Sequence, residues 1–437
     1  DSMTQSPVIA TPARTALILL LGINLFNYVD RQVLAGVEPL IRADFGVSKN
    51  TMGWLATAFL VSYMILAPLF GWLGDRMSRW LLVAIGVILW SLASGGSGVA
   101  TTFGVLLLTR CFVGIGEAAY GPVAPTILAD LYPVQIRGQI LSWFYLAIPV
   151  GSALGYIIGS GAAWAMGSWR WGFFLVVPPG LLLGIWAFFM RDPRPKVSIA
   201  EEGTRHKAPK LTDYLSLAKI PSYVLNCGGM TAMTFAIGGI GFWMPTYIWE
   251  YRYNKSVDLV QVNFIFSVIL VVAGFAATLL GGMAGDALRR RYSGSYFLVS
   301  AAGLLTGFPL LLLVLYTPFP LAWVFVFAAV FCLFFNTGPS NTILANVTPA
   351  PIRSTAFALN ILIIHALGDA ISPPAMGWLA DKYNMDVSFG FVSLMFLVGG
   401  LLWLWGAKYL DRDTRRAMEG ATEGPYPPVT LPGSNTA

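Results

Sequence analysis

Gly71-Trp72-Leu73-Gly74-Asp75-Arg76-Met77-Ser78-Arg79 lies between two long apolar runs, and its reading decides the fold. Its outline returns 211 positions later as Gly282-Met283-Ala284-Gly285-Asp286-Ala287-Leu288-Arg289-Arg290. A second echo follows in the same order. Tyr132-Pro133-Val134-Gln135-Ile136-Arg137-Gly138 recurs 216 positions on as Thr348-Pro349-Ala350-Pro351-Ile352-Arg353-Ser354. Two echoes at nearly one displacement make the chain a unit duplicated. Glycine lets neighbouring helices approach closely, while aspartate and arginine cap helix ends and pair across a short turn. Gly71, Asp75, Arg76 and Arg79, with Asp286 and Arg290 in the second copy, are therefore candidates for a charged gate on one face.

The runs on either side are membrane-like. The chain has 437 residues, of which 56% are apolar and 11% charged, with a mean hydropathy of +0.69. A soluble domain of this size needs more charge to cover its surface. Apolar runs near the ~20 residues that span a bilayer recur throughout, without the period-two alternation of a membrane barrel. Twelve spans are expected, at 15–37, 51–74, 80–99, 103–131, 138–165, 171–190, 222–249, 258–285, 295–316, 320–347, 353–380 and 387–409. They divide into bundles at 14–190 and 221–410. Residues 191–220 form a polar linker in which Leu211, Tyr214, Leu215 and Ala218 suit a short amphipathic helix or an ordinary solvated one. Residues 1–13 are expected to be disordered and 411–437 to form a cytoplasmic tail. No cleavable leader is expected before the first span.

With the N-terminus inside, 19 Lys and Arg fall on the cytoplasmic side and 6 outside. That bias sets orientation, with both termini cytoplasmic, and it accounts for the net charge of +6 without nucleic acid. Cys111, Cys227 and Cys332 sit in apolar runs at no metal spacing and read as small core residues. No phosphate-cradling Gly-x4-Gly-Lys-Ser/Thr loop, HExxH or CxxC pattern is present. Metal, cofactor and catalytic constellations are thus not expected.

Charges within the runs require a reason, since one at a helix centre costs about 2.5–3.5 kcal/mol on insertion scales. Asn24, Asn27 and Arg31 share a helical face in the first span, with Asp30 at its edge, and Arg110, Gly114 and Glu117 share one in the fourth. Gly114 is expected to leave room beside the long side chains. Asp30 with Arg110 and Arg31 with Glu117 are both possible pairs. Separating a carboxylate from its arginine makes it easier to protonate. Asp30 and Glu117 are therefore candidate proton carriers, with Arg31 and Arg110 as ion-pair switches and protons as the coupling ion. A structural ion-pair network is the alternative. Asn27, Tyr28, Tyr120, Trp243, His365 and Asp369 are candidate cavity-lining residues. His365, Asp369 and Ser372 fall at i, i+4 and i+7, with structural or gating roles favoured over substrate contact. Gly151, Gly155 and Gly159 beside Pro149 form a close-packing stripe, and Gly241 to Trp249 a proline-bent aromatic segment.

The Gly71–Arg79 turn and its echo resemble the signature of the major facilitator superfamily. That resemblance implies an all-α fold of twelve transmembrane helices in two six-helix bundles, working by alternating access. Leu108 to Tyr120, Pro125 to Asp130 and Ser142 to Tyr156 resemble the spinster family, and Asn27-Tyr28-Val29-Asp30-Arg31 matches its first-span motif. This likeness implies proton-linked movement of sphingosine-1-phosphate-like or lysophospholipid-like amphiphiles. Asp30 and Glu117 would then be the titrating carboxylates, and Arg31 and Arg110 the cavity cations. A symporter of a small organic anion is the alternative, and a lipid-binding sensor without flux is a third reading. A monomer in a prokaryotic inner membrane is expected.

Overall fold

The computed structural model describes residues 13–132, 134–192, 215–349 and 352–422. Among them there is no strand, and twelve helical stretches are long and apolar enough to cross a membrane. Spans 1 to 6 are Ala13–Gly36, Lys49–Gly74, Arg79–Val99, Phe103–Leu128, Trp143–Met166 and Arg170–Phe188. Spans 7 to 12 are Pro221–Arg252, Leu259–Arg289, Ser295–Tyr316, Ala322–Val347, Ala356–Lys382 and Met385–Gly406. Most of the linker and the expectations for 1–12 and 423–437 lie outside the described residues. Short connections make successive spans antiparallel, so the two ends of the chain share one face, here called terminal; the opposite face is distal.

Local chemistry starts the helices. Ser48, Ser78, Thr102 and Asn384 each accept a hydrogen bond from a backbone N–H three residues on, capping spans 2, 3, 4 and 12. Glycine then sets how close the helices pack. A methyl on Gly151, Gly155 or Gly159 would lie 3.0 Å or less from the carbonyl oxygens of Leu25, Val29 or Val33, so the stripe in span 5 rests on the backbone of span 1.

Two spans expected to be continuous are broken, and at equivalent places. Span 4 stops at Tyr120 and resumes at Ala124. Span 10 stops at Phe334 and resumes at Thr337. The displacement is close to that of the loop echoes. Proline gives the cause. Pro122 and Pro125 cannot donate to Ala118 and Gly121, nor Pro339 to Phe335. The freed Phe335 carbonyl leans onto Gly281 of span 8, where no side chain would fit.

The bundles meet on the distal side. Val33, Val37, Met52, Leu55 and Tyr156 of the first bundle join one buried apolar cluster with Tyr247, Phe266 and Met376 of the second. Asn263 donates to the Gly36 carbonyl (2.8 Å), Ser267 to Ala153 (2.9 Å) and Thr57 to Ala370 (2.5 Å). Tyr156 donates to the Gly241 carbonyl. Lys49 and Asn50 donate their backbone N–H groups to the Asp381 carboxylate (3.1 and 2.8 Å). Among the described residues, every hydrogen bond between bundles lies at mid-depth or on the distal side. Among the described residues, the two halves are thus clamped to each other on the distal side.

Candidate functional site

Spans 1, 2, 3 and 4 converge at mid-depth, spans 1 and 4 carrying the charges and spans 2 and 3 placing Phe59, Tyr63 and Ser94 beside them. The Arg31 guanidinium donates from Nε (2.7 Å) and Nη2 (2.6 Å) to the same Glu117 oxygen, Oε2. The Glu117 side chain is 1% exposed and that of Arg31 22%, so the arginine is the open side of the pair. Tyr28, Phe59 and Tyr63 surround its guanidinium, with ring centroids at 5.0, 4.7 and 5.6 Å. Such aromatic faces hold a cation without neutralising it.

Of the two pairings the sequence allows, Arg31 with Glu117 is the one made. Asp30 turns the other way, into the first bundle, and accepts a hydrogen bond from Ser94 of span 3. Arg110 is within electrostatic reach of Asp30 but forms no salt bridge with it among the described residues. Its guanidinium lies 5.9 Å from the Phe173 ring centroid. Among the described residues, atoms of four of these side chains are buried without a hydrogen-bond partner: Asp30 Oδ2, Glu117 Oε1, Asn27 Nδ2, and Nε with Nη1 of Arg110. A buried polar group in that condition costs about 1–3 kcal/mol, more when charged. The cluster therefore has unused hydrogen-bonding capacity.

Gly114 does not leave room for the charged side chains. The space beside it is filled by the Phe59 carbonyl and Ser62 hydroxyl of span 2, and Ser62 donates to the Cys111 carbonyl (3.0 Å). Asn24 is likewise packed, donating to the Phe144 carbonyl of span 5 (2.7 Å).

Across the cleft, His365 Nδ1 lies 3.0 Å from both oxygens of Asp369, with side chains 29% and 21% exposed. These residues form a π-helical turn, His365–Asp369. It replaces the regular face expected for His365, Asp369 and Ser372, and such turns often mark functional sites. Tyr28 of span 1 is within electrostatic reach of Arg31, Glu117 and Asp369, placing the acidic pole of one bundle near the basic pole of the other.

Two expected lining residues are elsewhere. Tyr120 is buried within the first bundle, donating to the Leu20 carbonyl (3.1 Å) and packing edge-on to Trp90. Trp243 is fully buried, its indole N–H on the Pro373 carbonyl (2.9 Å). Both are large aromatics whose single polar atom finds a backbone acceptor, so neither faces open space.

The duplicated turn works inside each bundle in this state. Arg79 pairs with Asp130 (2.7 Å) and Asp192 (3.0 Å) and reaches Thr126 (3.2 Å), tying spans 3, 4 and 6 at the terminal face. Arg76 is exposed and lies over the Trp72 ring at 4.0 Å. A methyl on Gly71 would only touch Pro122 at 3.9 Å, and Gly74 is the glycine packed tightly on Val123. In the second copy Asp286 accepts from Tyr296 (2.8 Å) and Arg290 is exposed. The Asp75 side chain lies outside the described residues. None of these charges crosses between bundles among the described residues.

The sequence reading did not single out Ser94, Phe59 or Tyr63, because a hydroxyl or ring in an apolar span carries no signal by itself. It also passed over a charged cluster on the distal side. The helix Glu38–Phe45 follows span 1, and its fully buried Glu38 accepts from Arg42 (2.9 Å) and from Thr246 of span 7 (2.7 Å). Arg42 reaches on to Glu250 (2.6 Å). The four-residue spacing of Glu38 and Arg42 was the available cue.

Two six-helix bundles clamped at one end around an asymmetric charged cleft define a membrane transporter of the major facilitator class. The Major Facilitator Superfamily profile matches residues 20–373. Spinster homolog 3 of Danio rerio is 36% identical over 95% of this chain and 89% of its own, and spinster homolog 1 of Homo sapiens is 36% identical over 93% and 83%. A bacterial homolog of the human lysosomal transporter Spinster, solved in an inward-facing and occupied conformation, superposes with a TM-score of 0.78 at 18% identity, covering 92% of this chain and 99% of its own. A D-xylose-proton symporter gives 0.69 at 20% identity, covering 90% and 97%. The chain belongs to the spinster family of that superfamily.

Proposed function

We propose that this transporter moves a lysophospholipid-like or sphingosine-1-phosphate-like amphiphile by proton-coupled alternating access. One observation carries the reading: Arg31, partly open to the cleft and ringed by Tyr28, Phe59 and Tyr63, holds Glu117 through a single carboxylate oxygen. A phosphate arriving at Arg31 takes the guanidinium's remaining donors and competes with Glu117 for Nε and Nη2. Loosening that pair leaves a buried carboxylate beside Asp30, and the favoured response is to take up a proton. Substrate arrival and protonation are thereby linked at one arginine. The ring of aromatics suits the neck of an amphiphile, and the His365–Asp369 pair opposite suits the amine of a zwitterionic head group.

The lysine and arginine bias supports cytoplasmic termini in a cell membrane, so the clamped distal side faces out and the state is open inward. The moving bodies are then 14–190 and 221–410, monomeric, with 191–220 as linker and 411–437 as tail. Arg110, with two donor nitrogens unpartnered, acts on Asp30 through the field and not through a bond in this state. The terminal-face charges Arg76, Arg79, Asp286 and Arg290 are the groups available to form a gate when that side closes.

Purified protein in proteoliposomes tests the proposal. Lysolipid uptake driven by a pH gradient is the expected result. Uptake of small carboxylates alone supports an organic-anion symporter. Saturable lysolipid binding without flux supports a sensor and overturns the transport mechanism.

A further inference from the structure

The distal clamp contains one guanidinium between two carboxylates. Glu38 is 0% exposed, and Arg42 is shared between it and Glu250 of span 7. The other charged groups near this point are occupied. Lys255 lies 3.5 Å from Glu250 and is mostly in solvent. Arg252 donates to the carbonyls of Val314, Leu315 and Thr317 and to Tyr247, whose own hydroxyl donates to Asp386. Lys49 pairs with Asp381, and Asp44 accepts from Trp169 and Arg170. Closing the bundles therefore makes the dry Glu38 share its guanidinium with Glu250, whose second cation, Lys255, stays mostly in solvent, unless one carboxylate becomes neutral.

We propose that Glu38 takes up a proton from the distal aqueous side as the bundles close there, so that distal closure is favoured by acid. The inference rests on alternating access and goes beyond the coupling site. The bond to Thr246 exists only across the interface, and a protonated Glu38 still accepts it through its carbonyl oxygen. Arg42 then no longer divides its charge between two carboxylates, and Glu250 keeps both it and Lys255. Burial pushes the Glu38 carboxyl up to about 7, with Arg42 and Thr246 opposing that rise and Glu250 adding to it. With the bundles apart, Glu38 meets water and returns toward about 4.3, the ordinary value for glutamate. The sign follows from linkage. A group held higher in the closed state favours closure fully below its open-state value, and that contribution is lost as pH rises through about 7. Between those limits the closed-to-open ratio changes by up to about tenfold per pH unit.

Spin labels at Val99→Cys and Tyr383→Cys, both exposed on the distal face in opposite bundles, report the separation by double electron–electron resonance. Cys111, Cys227 and Cys332 are replaced by alanine in this background. The expected result is a short-distance population that grows as pH falls from 8.5 to 5. Glu38→Gln should keep the short distance at every pH, and Glu250→Gln should move the midpoint lower. An unaltered titration in Glu38→Gln, or a long distance throughout in that variant, overturns the inference alone. The Asp30→Asn/Glu117→Gln double variant should retain the titration; its loss there assigns the effect to the coupling site and overturns the Glu38 role. A single short population at every pH in the labelled parent overturns both this inference and alternating access.

Discussion

Among the described residues Glu117 engages Arg31 with one oxygen and leaves the other buried without a hydrogen-bond partner, and the proposed coupling role rests on that geometry. Replacing it by glutamine keeps the shape and removes the charge. Glu117→Gln and Asp30→Asn are expected to fold and to lose gradient-driven lysolipid flux to the level of empty liposomes; coupled transport at the parental rate in both would refute the mechanism. Arg31→Lys keeps the charge but loses the planar fork that meets a phosphate with two parallel donors. It should raise the KM for a phosphate-bearing amphiphile by roughly tenfold, about 1.4 kcal/mol, with a smaller change for an uncharged analogue. Asp30, Arg31, Arg110 and Glu117 were legible in the sequence because charge in hydrocarbon is costly. Their pairing was not, since helical spacing fixes a face but not the rotation of one span against another. Tyr120 and Trp243 show the same limit from the apolar side. Spacing cannot tell an aromatic that lines a cleft from one whose polar atom caps a neighbouring carbonyl.

At the scale of elements, the terminal-face turn and the span 1–span 5 crossing make opposite kinds of demand. Arg79 is a buried cation with two carboxylate partners, and breaking such a pair from one side typically costs about 3–5 kcal/mol. Arg79→Ala should shorten the half-life of the detergent-solubilised protein at elevated temperature, whereas Arg76→Ala, at an exposed position, should leave it nearly unchanged. Gly155→Val adds bulk where span 5 touches the Val29 carbonyl. It should destabilise by about 1–3 kcal/mol, read as a lower apparent Tm. The small-residue stripe of span 5 was legible as a packing surface, while its partner was not. The breaks in spans 4 and 10 were missed because hydropathy runs straight through them. Pro122, Pro125 and Pro339 stood in plain sight, and the loss of their N–H donors is what interrupts the helices.

For the whole molecule, duplication was readable from the two loop echoes, and with it the twelve-span architecture. The conformational state was not readable, because it depends on which ends of the bundles touch. Gly53 and Gly377 decide that on the distal side. A methyl on Gly53 would meet the backbone of Pro373 and Pro374, and one on Gly377 the backbone of Lys49. Gly53→Val should therefore keep the bundles apart distally, lengthening the Val99–Tyr383 label distance and slowing turnover without abolishing the fold. A parental distance distribution in that variant would show that the seam tolerates bulk.

The Asp381 contact has a further consequence for reversibility. Its carboxylate receives the first backbone N–H groups of span 2, at Lys49 and Asn50, while Ser48 of the same helix already holds the Thr51 N–H (3.1 Å). The end of span 2 is thus capped twice, once by its own bundle and once on loan from the other. When the bundles part, water and Ser48 keep that helix end satisfied, and Asp381 returns to solvent. The contact behaves as a handshake whose release strands no donor in a dry interior, and a carrier that must let go on every cycle requires that property of its distal seam.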